Sequence, residues 1–351
     1  MPDVICAAFE VHRLSILAKD GSVDEALMPT LPEGDIRRMY ELMVLTRAFD
    51  QRAIALQREG RLGTYPPSLG QEATQVGSAF ALQPGDRIFP SFREMGVQLT
   101  LGYPIHQILQ YWSGDERGQL APPGLNIFPI CVSVGTHIPH AVGAAMAARY
   151  RHDPVATAVW FGDGATSKGD FHEGFNMAGV FRLPLVFICQ NNQWAISVPL
   201  SGQTAAATLA QKAVAYGFEG VQVDGNDVFA VYRATRDALQ KAREGGGPTF
   251  IECLTYRVAD HTTSDDAGRY RSAEEVAVWS ALDPLQRLER YMERCGIWNE
   301  AYAEETRQRA TADIDAAVAV MESQAAPDPD DMFVYTMEST GQRQAGQRKG
   351  G

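Results

Sequence analysis

The chain has 351 residues, a formal net charge of -12, and a composition that is 45% hydrophobic and 21% charged. That much apolar content supports a full buried core in one large or two smaller domains, and the acidic balance argues against nucleic acid or an anionic membrane as a partner. An anionic ligand would need a metal ion or locally placed Arg and Lys to hold it. Cys6, Cys131, Cys189, Cys253 and Cys295 are scattered with no Cys-x-x-Cys, which indicates neither a disulfide framework nor a zinc site. Reduced thiols in a cytoplasm are expected, because residues 1–20 lack a signal or transit pattern and no apolar run is long enough to span a membrane.

In chain order, Phe9 to Leu17 alternates roughly as a strand and runs into a Lys-Asp-Gly turn at 19–21. Gly34-Asp35 opens a long amphipathic helix with Ile36, Met39, Tyr40, Met43 and Ala48 on one face, ending near Gly60. Residues 61–135 mix short helices with Gly/Pro-rich loops. Pro139 to Tyr150 is a helix rich in Ala and Gly, a surface suited to close helix packing or a subunit contact. Val155 to Phe161 reads as a buried parallel strand ending at Gly162-Asp163-Gly164. Asp170, with Glu173 three residues on, predicts a capping box for a helix that turns Phe171, Phe175 and Ala178 to one side. Leu185 to Cys189 is a second apolar strand, followed directly by Asn191-Asn192.

A strand over Gly220 to Val223, a helix from Val228 to about Arg243 and a strand over Thr249 to Thr255 continue the alternation. It predicts an α/β fold, a mainly parallel sheet with helices on both faces. Asp224 and Asp227 read as turn and helix-cap residues. Residues 273–323 are helical, Ala325 to Asp331 is a linker, and Gly341 to Gly351 has a disordered composition. The expected divisions are an N-terminal extension over 1–32, an α/β domain with C-terminal helices over 33–323, and a linker and tail over 324–351.

Two segments carry the chemistry. A right-handed strand–helix–strand unit brings Asp163 and Asn192 to the carboxyl ends of neighbouring strands, where open α/β sheets bind ligands. One carboxylate, one amide oxygen and glycine-freed N–H groups at a helix entrance suit a hard cation bridging to a diphosphate. The polar stretch 257–271, Arg-Val-Ala-Asp-His-Thr-Thr-Ser-Asp-Asp-Ala-Gly-Arg-Tyr-Arg, leaves a strand of the same sheet. It places His261 where an imidazole titrating near neutral pH would serve a reacting carbonyl. A hydrolytic triad of Ser264, His261 and Asp260 fits poorly, because no Gly-x-Ser-x-Gly surrounds the serine. His137 and His140 have metal-ligand spacing without a third ligand, so packing at a helix start is expected of them.

The run from Gly162-Asp163-Gly164 to Asn191-Asn192 resembles the thiamine-diphosphate motif. Further motifs are Gly60–Ala79, Phe89–Gly96, Ser133–Ala145, Val223–Tyr232 and His261–Arg271. With them, residues 30–335 resemble the alpha subunit of the decarboxylating first component of 2-oxo acid dehydrogenase complexes. The resemblance implies Mg2+ held by Asp163, Asn192 and the Trp194 carbonyl, with Arg93, Gly164 and Ala165 on the diphosphate of thiamine diphosphate. Backbone around Ser133 and Val134 would meet the aminopyrimidine. Phe92 stands where the family often has Tyr, and Gln190 where some relatives have Arg. His261 matches the active-site loop histidine, and Tyr65 and Gln71 are candidate pocket residues.

The same resemblance implies oxidative decarboxylation of pyruvate with transfer of the acyl unit to a lipoyl group, a branched-chain 2-oxo acid being the alternative substrate. Its partners would be a beta subunit, two alpha with two beta chains, and the lipoyl domain of the acyltransferase component. The beta subunit would supply the glutamate that activates the cofactor. Thr262 stands where mitochondrial relatives carry a phosphorylated serine. Outside this class, the remaining reading is a non-catalytic nucleotide- or metal-binding interaction protein built on an α/β sheet.

Overall fold

A computed structural model describes residues 3–329; the Gln/Gly-rich tail and the end of the linker lie outside the described residues. Strands β1 (Arg13–Leu14), β2 (Arg87–Phe89), β3 (Thr157–Gly162) and β4 (Leu185–Asn191) come first. A small antiparallel hairpin, β5 (Trp194–Ala195) with β6 (Val198–Pro199), follows β4, and β7 (Glu219–Asp224) and β8 (Thr249–Leu254) come last. Six of them form one sheet in the order β1-β7-β8-β4-β3-β2, and every neighbouring pair is parallel. The helices are α1 (Glu33–Arg58), α2 (Glu72–Phe80), α3 (Met95–Thr100), α4 (Ile105–Trp112), α5 (His137–Arg151) and α6 (Gly169–Val180). They continue as α7 (Leu200–Gln203), α8 (Val228–Arg243), α9 (Ala273–Ser280), α10 (Pro284–Arg294) and α11 (Glu300–Glu322).

The period-2 pleat of the strands divides the core. Ala158 and Trp160 of β3, Val186 and Ile188 of β4 and Ile251 of β8 face the layer of α1, α2 and α8, with Met43, Phe49, Val76 and Phe229. Val159, Phe161, Phe187 and Phe250 face the opposite layer, α5 and α6. There Phe175 lies 3.8 Å from Phe171 and 4.2 Å from Phe187, ring centre to ring centre. Burial on both faces explains why these strands are near-continuously apolar. The small residues of α5 serve the packing: Ala141, Ala145 and Ala148 are buried. A Cβ on Gly174 of α6 would stand 2.8 Å from Ile138.

Two local expectations are corrected. The first strand is only two residues long, paired with Gln222 and Val223 at the sheet edge, and residues 3–12 form no regular element. The capping box of α6 does not form: a 3-10 turn over Asp163–Ser167 carries the chain past β3, Lys168 takes the cap position, and no side chain caps the helix. Asp170 instead lies in the first helical turn, where its charge still favours the positive end of the helix. Asp227 caps α8 as expected, accepting from Phe229 N at 3.1 Å and Ala230 N at 3.0 Å. Its second oxygen accepts from Ile16 N and Leu17 N at 2.5 and 2.6 Å, which ties the N-terminal segment to the sheet.

Candidate active site

β4 is central, and its carboxyl end with those of β3 and β8 forms one floor. Asp163 follows β3 and is 1% exposed; its Oδ2 accepts from Gln203 Nε2 at 2.6 Å. Burial raises the pKa of this carboxyl above the ordinary Asp value, against the lowering effect of the Gln203 hydrogen bond. Asn192 follows β4, with Nδ2 donating to Gln71 Oε1 at 3.2 Å. Gln193 has φ 74°, a left-handed turn that brings the chain back into the Trp194–Ala195 hairpin. A Cβ on Gly164 would meet Ala195 Cβ at 2.9 Å, so the 3-10 turn and the hairpin approach closely only with glycine there. Gln71, Asp163, Gly164, Asn192, Trp194 and Ala195 line a cavity of ≈ 530 Å³.

Two buried arginines converge on His261. Arg93, just past β2, donates from Nη1 to Pro67 O at 2.6 Å and from Nη2 to His261 O at 3.1 Å. Arg257 leaves β8 fully buried, donating to Trp194 O at 3.1 Å, Ile196 O at 2.8 Å and Tyr270 Oη at 2.9 Å. Both guanidinium groups also meet His261 Nδ1, at 3.1 and 3.2 Å. Two obligate donors require Nδ1 to accept, which assigns the proton to Nε2. Burial, then Arg93 and Arg257, hold the imidazole pKa down at about 3. The neutral-range titration expected of His261 is therefore not that of this arrangement, a correction caused by burial and by two cations, of which Arg93 lies far away in sequence.

The loop is held from within. Asp265 Oδ2 accepts from His261 N at 3.0 Å and also from Tyr270 Oη. Arg271 donates to the carbonyls of Arg257, Val258 (2.7 Å) and Ala259 (3.0 Å). Asp260 accepts from Ala267 N and Ser264 Oγ meets Thr64 Oγ1, so neither forms a triad with His261. Sequence reading missed Arg257, Asp265 and Tyr270 as a unit, although the arginine-bearing ends of the segment were visible. Gln203 on Asp163 had no local signal.

Of the other expected residues, Phe92, Val134, Gly164, Ala165, Gln190 and Trp194 line the cavity, while Ser133 does not. Ser133 Oγ instead meets Thr136 Oγ1 at 3.1 Å. The Phe92 ring stands edge-on to His261, centroids 6.1 Å apart. Gln190 is buried, donating to Glu94 Oε1 at 2.5 Å and accepting from Gln75 Nε2 at 3.0 Å. Gln71 lines the cavity; Tyr65 lies behind it, bonded to Asp50. His137 is buried with Nε2 on Trp160 O at 2.6 Å, a packing role at the start of α5.

A family model described as "Dehydrogenase E1 component" matches residues 40–330. The chain belongs to the dehydrogenase E1 component family. This E1 chain is 44% identical over 311 residues to the 3-methyl-2-oxobutanoate dehydrogenase subunit alpha of Mycobacterium tuberculosis, covering 88% of this chain and 85% of that one. It is 43% identical over 307 residues to the pyruvate dehydrogenase E1 component subunit alpha of Staphylococcus aureus, covering 87% of this chain and 83% of that one. The α/β fold with its mainly parallel sheet is the one the family resemblance implied. Among the described residues no helix is long and apolar enough to cross a membrane.

Proposed function

We propose that this E1 chain is the alpha subunit of a pyruvate dehydrogenase first component, holding thiamine diphosphate and Mg2+ in the ≈ 530 Å³ cavity. The observation that carries the reading is an all-oxygen donor set that shares one cavity with Arg93 and His261, Arg257 being buried behind His261 with a hydrogen bond to the Trp194 carbonyl. The donors are the Asp163 carboxylate, the Asn192 amide and the Trp194 carbonyl. Hard divalent cations take such oxygen ligands, and a bound cation would offset the burial that raises the Asp163 pKa. Gly164 keeps the backbone free of a Cβ beside the donors, and the buried Gln71 Nε2 lacks a hydrogen-bond partner among the described residues. The residues fit the group.

When bound, thiamine diphosphate supplies the carbon nucleophile and the electron sink for loss of carbon dioxide from a 2-oxo acid. The chain's own residues would bind and orient it. Arg93 would present positive charge to the diphosphate, and the backbone at Gly164 and Ala165 would present N–H groups to it. Gln190 is neutral and donates to Glu94, a second acid of the cavity lining. His261, neutral, would donate a hydrogen bond from Nε2–H to the developing alkoxide.

The relatives are named as alpha subunits. A beta subunit completing the site, in an assembly of two alpha and two beta chains, is part of this proposal, as are the lipoyl domain partner and a cytoplasmic location. Exposed Val180 and Phe181 at the end of α6 and Tyr150 at the end of α5 support a covering partner. A branched-chain 2-oxo acid is the second reading, favoured by the 44% identity to the mycobacterial relative. Asp163→Ala tests the site: decarboxylation by the assembled enzyme should fall to background at saturating Mg2+, with the circular dichroism spectrum unchanged. Retained activity would remove Asp163 from the metal site.

A further inference from the structure

We propose that Asp50 is a positioning residue for the active-site loop, acting on it through Tyr65 and Ser68. Asp50 lies on α1 behind the cavity wall and is 1% exposed. Its Oδ1 accepts from Tyr65 Oη at 2.5 Å, and its Oδ2 accepts from Ser68 N at 2.6 Å and Ser68 Oγ at 3.1 Å. Three hydrogen-bond donors, not a contacting cation, meet this carboxylate. A buried acid in such surroundings weakens the fold unless it holds something. What it holds is the 64–68 segment, further fixed by Tyr65 standing edge-on to Phe49 and Trp112.

That segment is the support of the catalytic loop. Tyr65 N donates to Thr263 Oγ1 at 3.0 Å, Thr263 N returns a bond to Tyr65 O at 2.9 Å, and Thr64 Oγ1 meets Ser264 Oγ at 3.1 Å. A second arm runs from Pro67 O through Arg93 Nη1 at 2.6 Å, whose Nη2 meets His261 Nδ1 at 3.1 Å. Asp50 therefore reaches His261 by two routes without touching the cavity.

The titratable groups facing Asp50 are Tyr65 on the held segment, Glu72 on α2 and Arg93 after β2. Burial pushes Asp50 up to about 7 from its ordinary 3.8.

Hydrogen–deuterium exchange on the full chain, corrected for intrinsic rates, tests this. Tyr65→Phe and Asp50→Asn should each speed exchange at 261–265 about tenfold or more and leave β4 and β8 at wild-type rates. Wild-type rates at 261–265 in both variants overturn the proposal. So does acceleration shared equally by β4 and β8. The proposal rests on the reading above for the loop's catalytic role, but its readout needs no turnover. A chain inactive on 2-oxo acids would sink that reading and leave the positioning of the loop standing.

Discussion

At the residue scale, His261 is defined by what faces Nδ1. Burial, then Arg93 and Arg257, hold the imidazole neutral, with a pKa of about 3 against an ordinary 6.5. The sign follows: between those values the unfolded chain takes up a proton that the folded loop refuses, so this group's contribution is present above 6.5 and lost as pH falls. Denaturant unfolding followed from pH 7 to 4 should therefore lose less stability in His261→Gln than in the wild type, and equal slopes would count against the assignment. In the assembled enzyme, His261→Ala should cut acyl transfer about 10²-fold while cofactor affinity stays within a few-fold. The histidine itself was legible, because its local string of hydroxyls and acids resembles the family's loop. Its electrostatics were not: Arg93 reaches it only through the fold, and the donor geometry of Arg257 depends on how the loop closes.

At the element scale, the strands were the most readable part. Runs such as Leu185 to Cys189 are apolar because both sheet faces are covered, and the same runs place Asp163 and Asn192 at strand ends. The start of α6 was less readable, since a 3-10 turn absorbed five residues that a simple strand-to-helix connection would have spent otherwise. The edge strand shrank to two residues, and what anchors the N-terminal segment there is a side chain far along the sequence. Asp227 joins α8 to that segment through four hydrogen bonds to backbone N–H groups. Asp227→Ala removes a helix cap and orphans two further buried donors, so it should lower the unfolding free energy by about 3 kcal/mol. Urea unfolding measures this; a loss under about 1 kcal/mol would show that water or another group replaces the carboxylate.

At the scale of the whole molecule, the sheet brings three strand ends to one place and the helices close the sides, yet α5 and α6 keep apolar ends in the open. Tyr150, Val180 and Phe181 are among the exposed large hydrophobics. The sequence could bring Asp163 and Asn192 together because their spacing reflects a single strand–helix–strand unit, and both line one cavity. It is silent on the long-range braces, Asp50 to Tyr65 and Gln203 to Asp163, because those residue pairs share no local pattern. The central claim is that this cavity is one half of a 2-oxo acid decarboxylase, and lipoyl acylation tests it most directly. Purified chain would be assayed with thiamine diphosphate, Mg2+ and a lipoyl domain, with and without the beta subunit, on pyruvate and on 3-methyl-2-oxobutanoate. Acylation should occur only when both subunits are present, with the higher kcat/KM on pyruvate. Steady turnover by the chain alone, or none from the assembled pair on either 2-oxo acid, would contradict the account.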